Sequence, residues 1–340
     1  MRHVRAPRAS LRSAAALVCA ALLAATLATP GMAAPASPRA PRWKVVVEPT
    51  AGYGFLDRAV ARASRTVLVE LYELADPTFE AALVAAAHRR VHVEVLLDRD
   101  YSAGTVNRPA FKWLTARRVA VRWANASYIF HEKAVVVDGA TAYIGSGNLT
   151  AEYYATTRDF WLVDEQRADA DAVTTTFGRD WRGGAPAPGP HGVDLVWSPD
   201  AEPLFLSLIG QARHTISIES EELSDTYVIN ALVAAARRHV AVHVTMTYSS
   251  EWRSAFDELV RAGVEIHVDH GEHPVYIHAK ALCVDCTARA GTLVVGSQNL
   301  SYSSLAFNRE LSVRTSDLAV LAPIDAVLRE DFAAAAPYTG

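Results

Sequence analysis

Long apolar stretches, cysteine and surplus positive charge are all scarce in this chain, and each shortage excludes something. Beyond residue 36 no apolar run reaches the ~20 residues that a membrane-spanning helix needs, so nothing in that part is expected to cross a bilayer. Only three cysteines occur, and Cys283 and Cys286 stand three apart. A zinc site would need two further ligands that are not obvious nearby, and a redox pair would want a helix N-terminus behind it. The pair is expected to close a disulfide across a turn.

The 33 Lys and Arg do not outnumber the 37 Asp and Glu, and the imbalance grows once the first residues are set aside. Arg2, Arg5, Arg8 and Arg12 precede an apolar stretch from Ala14 to Leu27, followed by small residues in "GMAAPAS". A basic head, a short apolar centre and a small-residue exit predict a secretory signal peptide over residues 1–36, cut between Ala33 and Ser37. The protein is therefore expected to be secreted. Removing those four arginines leaves 29 basic against 37 acidic residues, a net charge of −8. Such a surface repels polyanions at long range and disfavours indiscriminate nucleic-acid binding. A local basic pocket remains compatible with it.

What is present is a repeat. "TVLVELYELADPTFEAALVAAAHRRVHVEVLLD" (66–98) and "TISIESEELSDTYVINALVAAARRHVAVHVTMT" (215–247) share one plan: strand, acidic turn, alanine-rich helix, strand. Each is followed by a further helix and a short strand. That alternation predicts parallel pairing with helices covering the sheet, an α/β fold. "RGGAPAPGPHG" (182–192) separates the copies. We expect a first repeat over 43–183, a Pro/Gly linker over 184–192, and a second repeat over 193–336.

Within the first copy, "FHEKAVVVDGATAYIGSGNLT" (130–150) reads as two short strands joined at Asp138-Gly139. The hairpin does not explain why His131 and Lys133 share one face of a strand fit for burial. The second copy, "YIHAKALCVDCTARAGTLVVGSQNLS" (276–301), supplies the reason. His131, Lys133 and Asp138 become His278, Lys280 and Asp285. Gly145, Ser146 and Asn148 become Gly296, Ser297 and Asn299. Eleven residues after each asparagine stands an acid, Asp159 or Glu310. By average residue usage a chance His-x-Lys-x4-Asp match arises on the order of once in 10⁴ positions. Two matches at equivalent places in a repeat are not chance.

This pattern resembles the phospholipase D superfamily, marked by a paired His-x-Lys-x4-Asp element with a downstream Gly-Ser-x-Asn. The likeness covers essentially the whole chain beyond the leader. It departs from the pattern only in a longer turn after Asp285, expected to lengthen a hairpin without displacing His278. It implies two fused α/β/α sandwich repeats sharing one active site, so that a monomer suffices.

A phosphodiester is an anion that resists nucleophiles, so its site must neutralise charge and supply attacker and proton donor. Two imidazoles can divide those tasks near neutral pH. One attacks phosphorus to give a phosphohistidine; the other protonates the departing oxygen. The resemblance favours His131 as nucleophile and His278 as acid, although the chemistry is symmetric. Lys133 and Lys280 would hold the non-bridging oxygens. Ser146, Asn148, Ser297 and Asn299 would donate hydrogen bonds to the same oxygens, with neither metal nor cofactor required. By resemblance, Asp159 and Glu310 each steady one imidazole across the halves, in a pairing left open. Asp138 and Asp285 are expected to be structural, orienting neighbouring backbone away from the phosphate.

The expected reaction is cleavage of a phospholipid at a membrane or micelle surface, giving phosphatidic acid and a free head group, with transfer to alcohols as a side activity. A secreted nuclease of the same superfamily is the alternative, and a silent phosphate-binding module a third. "HVDHGEH" (267–273) tempts a metal reading through His267, His270 and His273. Gly271 and Pro274 mark it instead as a polar loop, expected at the site rim. Trp123 and Tyr128 are candidates to line the pocket.

Overall fold

The acidic turns of the two repeats are helix caps. Asp76 accepts from the backbone N–H of Thr78 and Phe79 and starts the helix Pro77–His88. Asp225 does the same for Tyr227 and Val228 at the helix Thr226–Arg237. Each cap satisfies orphan N–H groups and contributes about 1 kcal/mol. These elements belong to a computed structural model that describes residues 43–99, 103–270, 275–287 and 291–340. The expected leader, residues 1–36, and His273 lie outside the described residues. Among the described residues no helix is long and apolar enough to cross a membrane.

Each half is built on a mixed sheet. The first runs, in spatial order, Trp43–Glu48, Thr157–Asp164, Thr141–Gly145, Lys133–Val137, Thr66–Leu71, His92–Leu97, Ala120–Trp123. The second repeats that order with Leu195–Ser198, Glu310–Thr315, Thr292–Gly296, Ala281–Val284, Thr215–Glu219, Ala241–Thr247, Glu265–Asp269. The strands joined through helices pair in parallel, and those joined through turns pair antiparallel. Helices cover the sheets, and a central apolar layer lies between the halves. There Val136, Phe160 and Leu162 of the first pack with Leu293, Leu311 and Val313 of the second. The long helices Arg167–Trp181 and Leu318–Ala334 feed Phe177 and Leu328 into the same layer.

The two hairpins that carry the motifs close as the turn residues dictate. Asp138 and Gly139 both adopt positive φ, 56° and 58°, as the central pair of a type I′ turn does, and Ala140 N donates to the Val137 carbonyl at 3.0 Å. Asp138 then accepts from the backbone N–H of Ser64, Arg65 and Thr66. Asp285 accepts from those of Arg213, His214 and Thr215. Burial acts to raise both carboxyls, but these donors hold them below the usual carboxylate range. Each aspartate thus ties its hairpin to the start of the central strand. Cys283 and Cys286 form a disulfide with their Cα atoms 5.7 Å apart.

The halves also exchange backbone. Tyr276–Ile277 adds to the first sheet, parallel to Thr157 and Arg158, and Phe130 bridges to Arg309. The linker is tied down rather than free: Trp197 Nε1 donates to the Pro190 carbonyl at 2.9 Å, and Arg309 to that of Ala187 at 2.9 Å.

Candidate active site

The exchanged segments carry the two histidines. His131 N donates to the Arg309 carbonyl at 2.9 Å, and His278 N to the Arg158 carbonyl at 3.2 Å. The residue after each arginine is the acid of the motif, so each histidine is pressed against the acid of the opposite half. His131 Nδ1 lies 2.8 Å from Glu310 Oε2, and His278 Nδ1 lies 2.8 Å from Asp159 Oδ1. With Nδ1 committed to a carboxylate, Nε2 is the nitrogen left for chemistry. Both imidazoles face one cavity of about 640 Å³.

Gly145 and Gly296 make that approach achievable. A Cβ on Gly145 would fall 2.2 Å from the Trp161 ring, and one on Gly296 would fall 2.4 Å from the Leu311 carbonyl oxygen. Only glycine lets the hairpin pack this close to the acid-bearing strand. The next residue of each motif faces the acid and not the cavity. Ser146 Oγ donates to Asp159 Oδ1 at 2.6 Å and accepts from Phe160 N at 3.0 Å. Ser297 accepts from Leu311 N at 3.0 Å and hydrogen-bonds Glu310. Both serines are fully buried. They were expected to hold phosphate; their strand register points both hydroxyls at the carboxylates, which they brace.

The two asparagines are placed differently. Asn148 lines the cavity but donates to Glu73 Oε2 at 3.2 Å. Asn299 is 2% exposed and does not line the cavity; its backbone N–H donates to Ser304 Oγ. Lys133 and Lys280 lie beneath the histidines, each donating to the carbonyl of its own motif histidine. Burial, assisted by Lys280, lowers the Lys133 ammonium to about 7. Burial, then Lys133 and Lys280, lowers His131 well below its usual value, which leaves its ring neutral. Burial raises Glu310 to about 7 against the Lys133 charge and the donors Ser304, Ser297 and Asn308.

The cavity wall holds residues that the motifs do not announce: Tyr72, Tyr153, Tyr154, Tyr276, Glu221 and Glu222. The candidates Trp123 and Tyr128 are elsewhere. Trp123 stacks on Phe111 at 4.1 Å, and the Tyr128 hydroxyl reaches toward the Gly184 carbonyl. His267 is not at the rim either; its Nδ1 bonds the Phe332 carbonyl at 2.6 Å and its ring stacks on Phe332. The clue available in the sequence was the mismatch between repeats, where "LYELAD" faces "SEELSD" and Tyr72 corresponds to Glu221.

The model of the cardiolipin synthase, phospholipase D-like domain matches this chain twice, over residues 56–181 and 205–332. The chain belongs to the phospholipase D-like family. It is 26% identical over 313 residues to cardiolipin synthase B of Escherichia coli K12, covering 78% of this chain and 74% of that one. It is 25% identical over 303 residues to the major cardiolipin synthase of Bacillus subtilis, covering 76% and 61%. Among solved structures, phosphatidylserine synthase of Haemophilus influenzae shares the fold at TM-score 0.66 and 11% identity, covering 86% of both chains. Polyphosphate kinase of Porphyromonas gingivalis shares it at TM-score 0.67 and 15% identity, covering 84% of this chain and 46% of that one.

Proposed function

We propose that this protein cleaves a phospholipid phosphodiester in two steps through a covalent phosphohistidine. The observation that carries the reading is the crossed pairing of His131 with Glu310 and His278 with Asp159 around one cavity. His131 Nε2 attacks phosphorus, and the bond from phosphorus to the head-group oxygen breaks. That oxygen takes a proton from His278. Water or an alcohol then enters, gives its proton back to His278, and releases His131. Water yields phosphatidic acid and a free head group; an alcohol yields a new phosphodiester. Lys133 and Lys280 offset the charge that builds on the phosphoryl oxygens.

Two features support lipid over nucleic acid. The relatives named above are cardiolipin synthases. Glu73, Glu221 and Glu222 line the cavity wall, and Lys133 and Lys280 lie buried behind the two histidines and not along that wall. A polyanion would meet that wall unfavourably. The reading includes export, from the composition of the first 36 residues, and peripheral action of a monomer at a lipid surface.

The test is incubation with phosphatidylcholine micelles and ethanol, scoring choline and phosphatidylethanol. Both products should appear and vanish in His131→Ala and His278→Ala. Cleavage of single-stranded DNA without lipid turnover would replace this reading by a nuclease. Lipid binding with no turnover of either substrate would replace it by a phosphate-binding module.

A further inference from the structure

The two halves of the cavity differ at one matched position. On the first side the Tyr72 ring stands edge-on to His131, with centroids 4.6 Å apart, and Lys133 Nζ lies 4.8 Å from its centre. On the second side the equivalent residue is Glu221. Its Oε2 accepts from Lys280 Nζ at 2.9 Å and stands 3.4 Å from His278 Nε2. Its Oε1 accepts from the Tyr276 hydroxyl at 3.1 Å. One carboxylate oxygen thus rests against the ammonium and the reacting nitrogen that an incoming phosphodiester must use.

A phosphoryl oxygen and this carboxylate cannot share Lys280 at contact without like-charge repulsion. Burial acts to raise the Glu221 carboxyl, but Lys280 and His278 hold it below the usual range, so it is an anion in the free enzyme. Its side chain already lines the cavity and is 26% exposed, so its carboxylate can swing off Lys280 without disturbing the core. Its other oxygen already holds the Tyr276 hydroxyl and Glu222 lines the same wall, so a carboxylate released from Lys280 faces the space where the alcohol portion of a diester served by His278 would sit. Carboxylates beside aromatic rings suit an ammonium group and oppose an anionic one.

We propose that Glu221 determines head-group specificity: it cedes Lys280 to the phosphate and then pairs with a cationic head group on the departing alcohol. The head-group half rests on the lipid reading above; the exchange at Lys280 does not. Two measurements test it. In the first, inorganic phosphate is titrated calorimetrically into the wild-type protein and Glu221→Gln. The variant should bind phosphate about tenfold more tightly, the scale of one charge-assisted contact. Unchanged or weaker affinity overturns the exchange. In the second, kcat/KM is compared for phosphatidylcholine and phosphatidylglycerol in matched micelles. Wild type should prefer phosphatidylcholine, and Glu221→Gln should reduce that preference about tenfold while Glu221→Asp retains most of it. An equal ratio in wild type and Glu221→Gln overturns the specificity role. A wild type that turns over neither lipid overturns the lipid reading instead, and the phosphate titration still decides the exchange.

Discussion

His278 of the second repeat donates Nδ1–H to Asp159 Oδ1 of the first at 2.8 Å, and the Ser146 hydroxyl donates to the same oxygen at 2.6 Å. One carboxylate oxygen therefore fixes the ring of the other half, and is itself fixed by its own half. Replacing Asp159 by Asn keeps the size but presents an amide that can offer its N–H to Nδ1 and stabilise the wrong tautomer. We expect Asp159→Asn to lower kcat about 100-fold or more with little change in KM. Single-turnover quench experiments with matched circular dichroism spectra check it. A loss confined to KM would show that Asp159 serves binding instead.

The serines behave differently from phosphate ligands. Ser146→Ala removes a buried donor to Asp159 and the acceptor for Phe160 N. Leaving such groups unpaired costs about 1–3 kcal/mol. Urea unfolding should report that loss, while the affinity for inorganic phosphate stays at the wild-type value. A fall in phosphate affinity without a stability loss would restore the serine to the phosphate.

How much of this was readable beforehand follows from the range of each interaction. The duplicated His-x-Lys-x4-Asp elements and the hairpin at Asp138-Gly139 are local spacing, so they were visible in the sequence. The parallel pairs around Thr66–Leu71 and Thr215–Glu219 followed from strand–helix alternation. Which acid serves which histidine was not readable, because it depends on how Tyr276–Ile277 docks beside Thr157 and Arg158 across the halves. The serine contacts are not legible, because one strand register decides whether a hydroxyl faces the cavity or the carboxylate behind it. Trp123 sits at a strand end near the motif in sequence, yet Phe111 covers it. Tyr72 and Glu221 are not legible in the sequence because they lie outside the motifs and carry no shared residue type.

The pH profile should expose Lys133. Burial lowers its ammonium to about 7, so the free enzyme loses this charge as pH rises through that value. His131, lowered well below its usual value mainly by burial, is already neutral there and adds no limb near neutrality, and Glu310, raised to about 7 by burial, shapes the acid side of the profile. We expect kcat/KM to fall on the alkaline side with an apparent pKa of about 7. Lys133→Arg keeps its charge at all these pH values, so the limb should disappear from its normalised profile even where its maximum is reduced. A limb that stays near 7 in the variant would assign the titration to another group.

Arg309 carries the last prediction. Its Nε lies 2.8 Å from Asp180 Oδ2, with both side chains fully buried. Asp180 shares its surroundings with Glu70 and Glu132, whose nearest carboxylate oxygens all fall within 4.8 Å of one another. One guanidinium thus faces three acids in the layer between the halves. Arg309→Met removes the cation and should destabilise the protein by about 3–5 kcal/mol at neutral pH. The deficit should depend on pH. Burial and the neighbouring acids raise Glu70, and burial raises Glu132 to about 8 despite Arg309. An acid whose folded pKa is raised binds more protons folded than unfolded. Its contribution to stability is therefore present at low pH and lost as pH rises through the window between the two values. Without Arg309 the upper edge of that window moves higher, so the variant should go on losing stability above about pH 8, where the wild type has already lost the Glu132 contribution. Urea unfolding of both proteins on either side of that pH would measure it. A deficit that stays constant with pH would mean that Arg309 contributes by packing between the halves and not by balancing these acids.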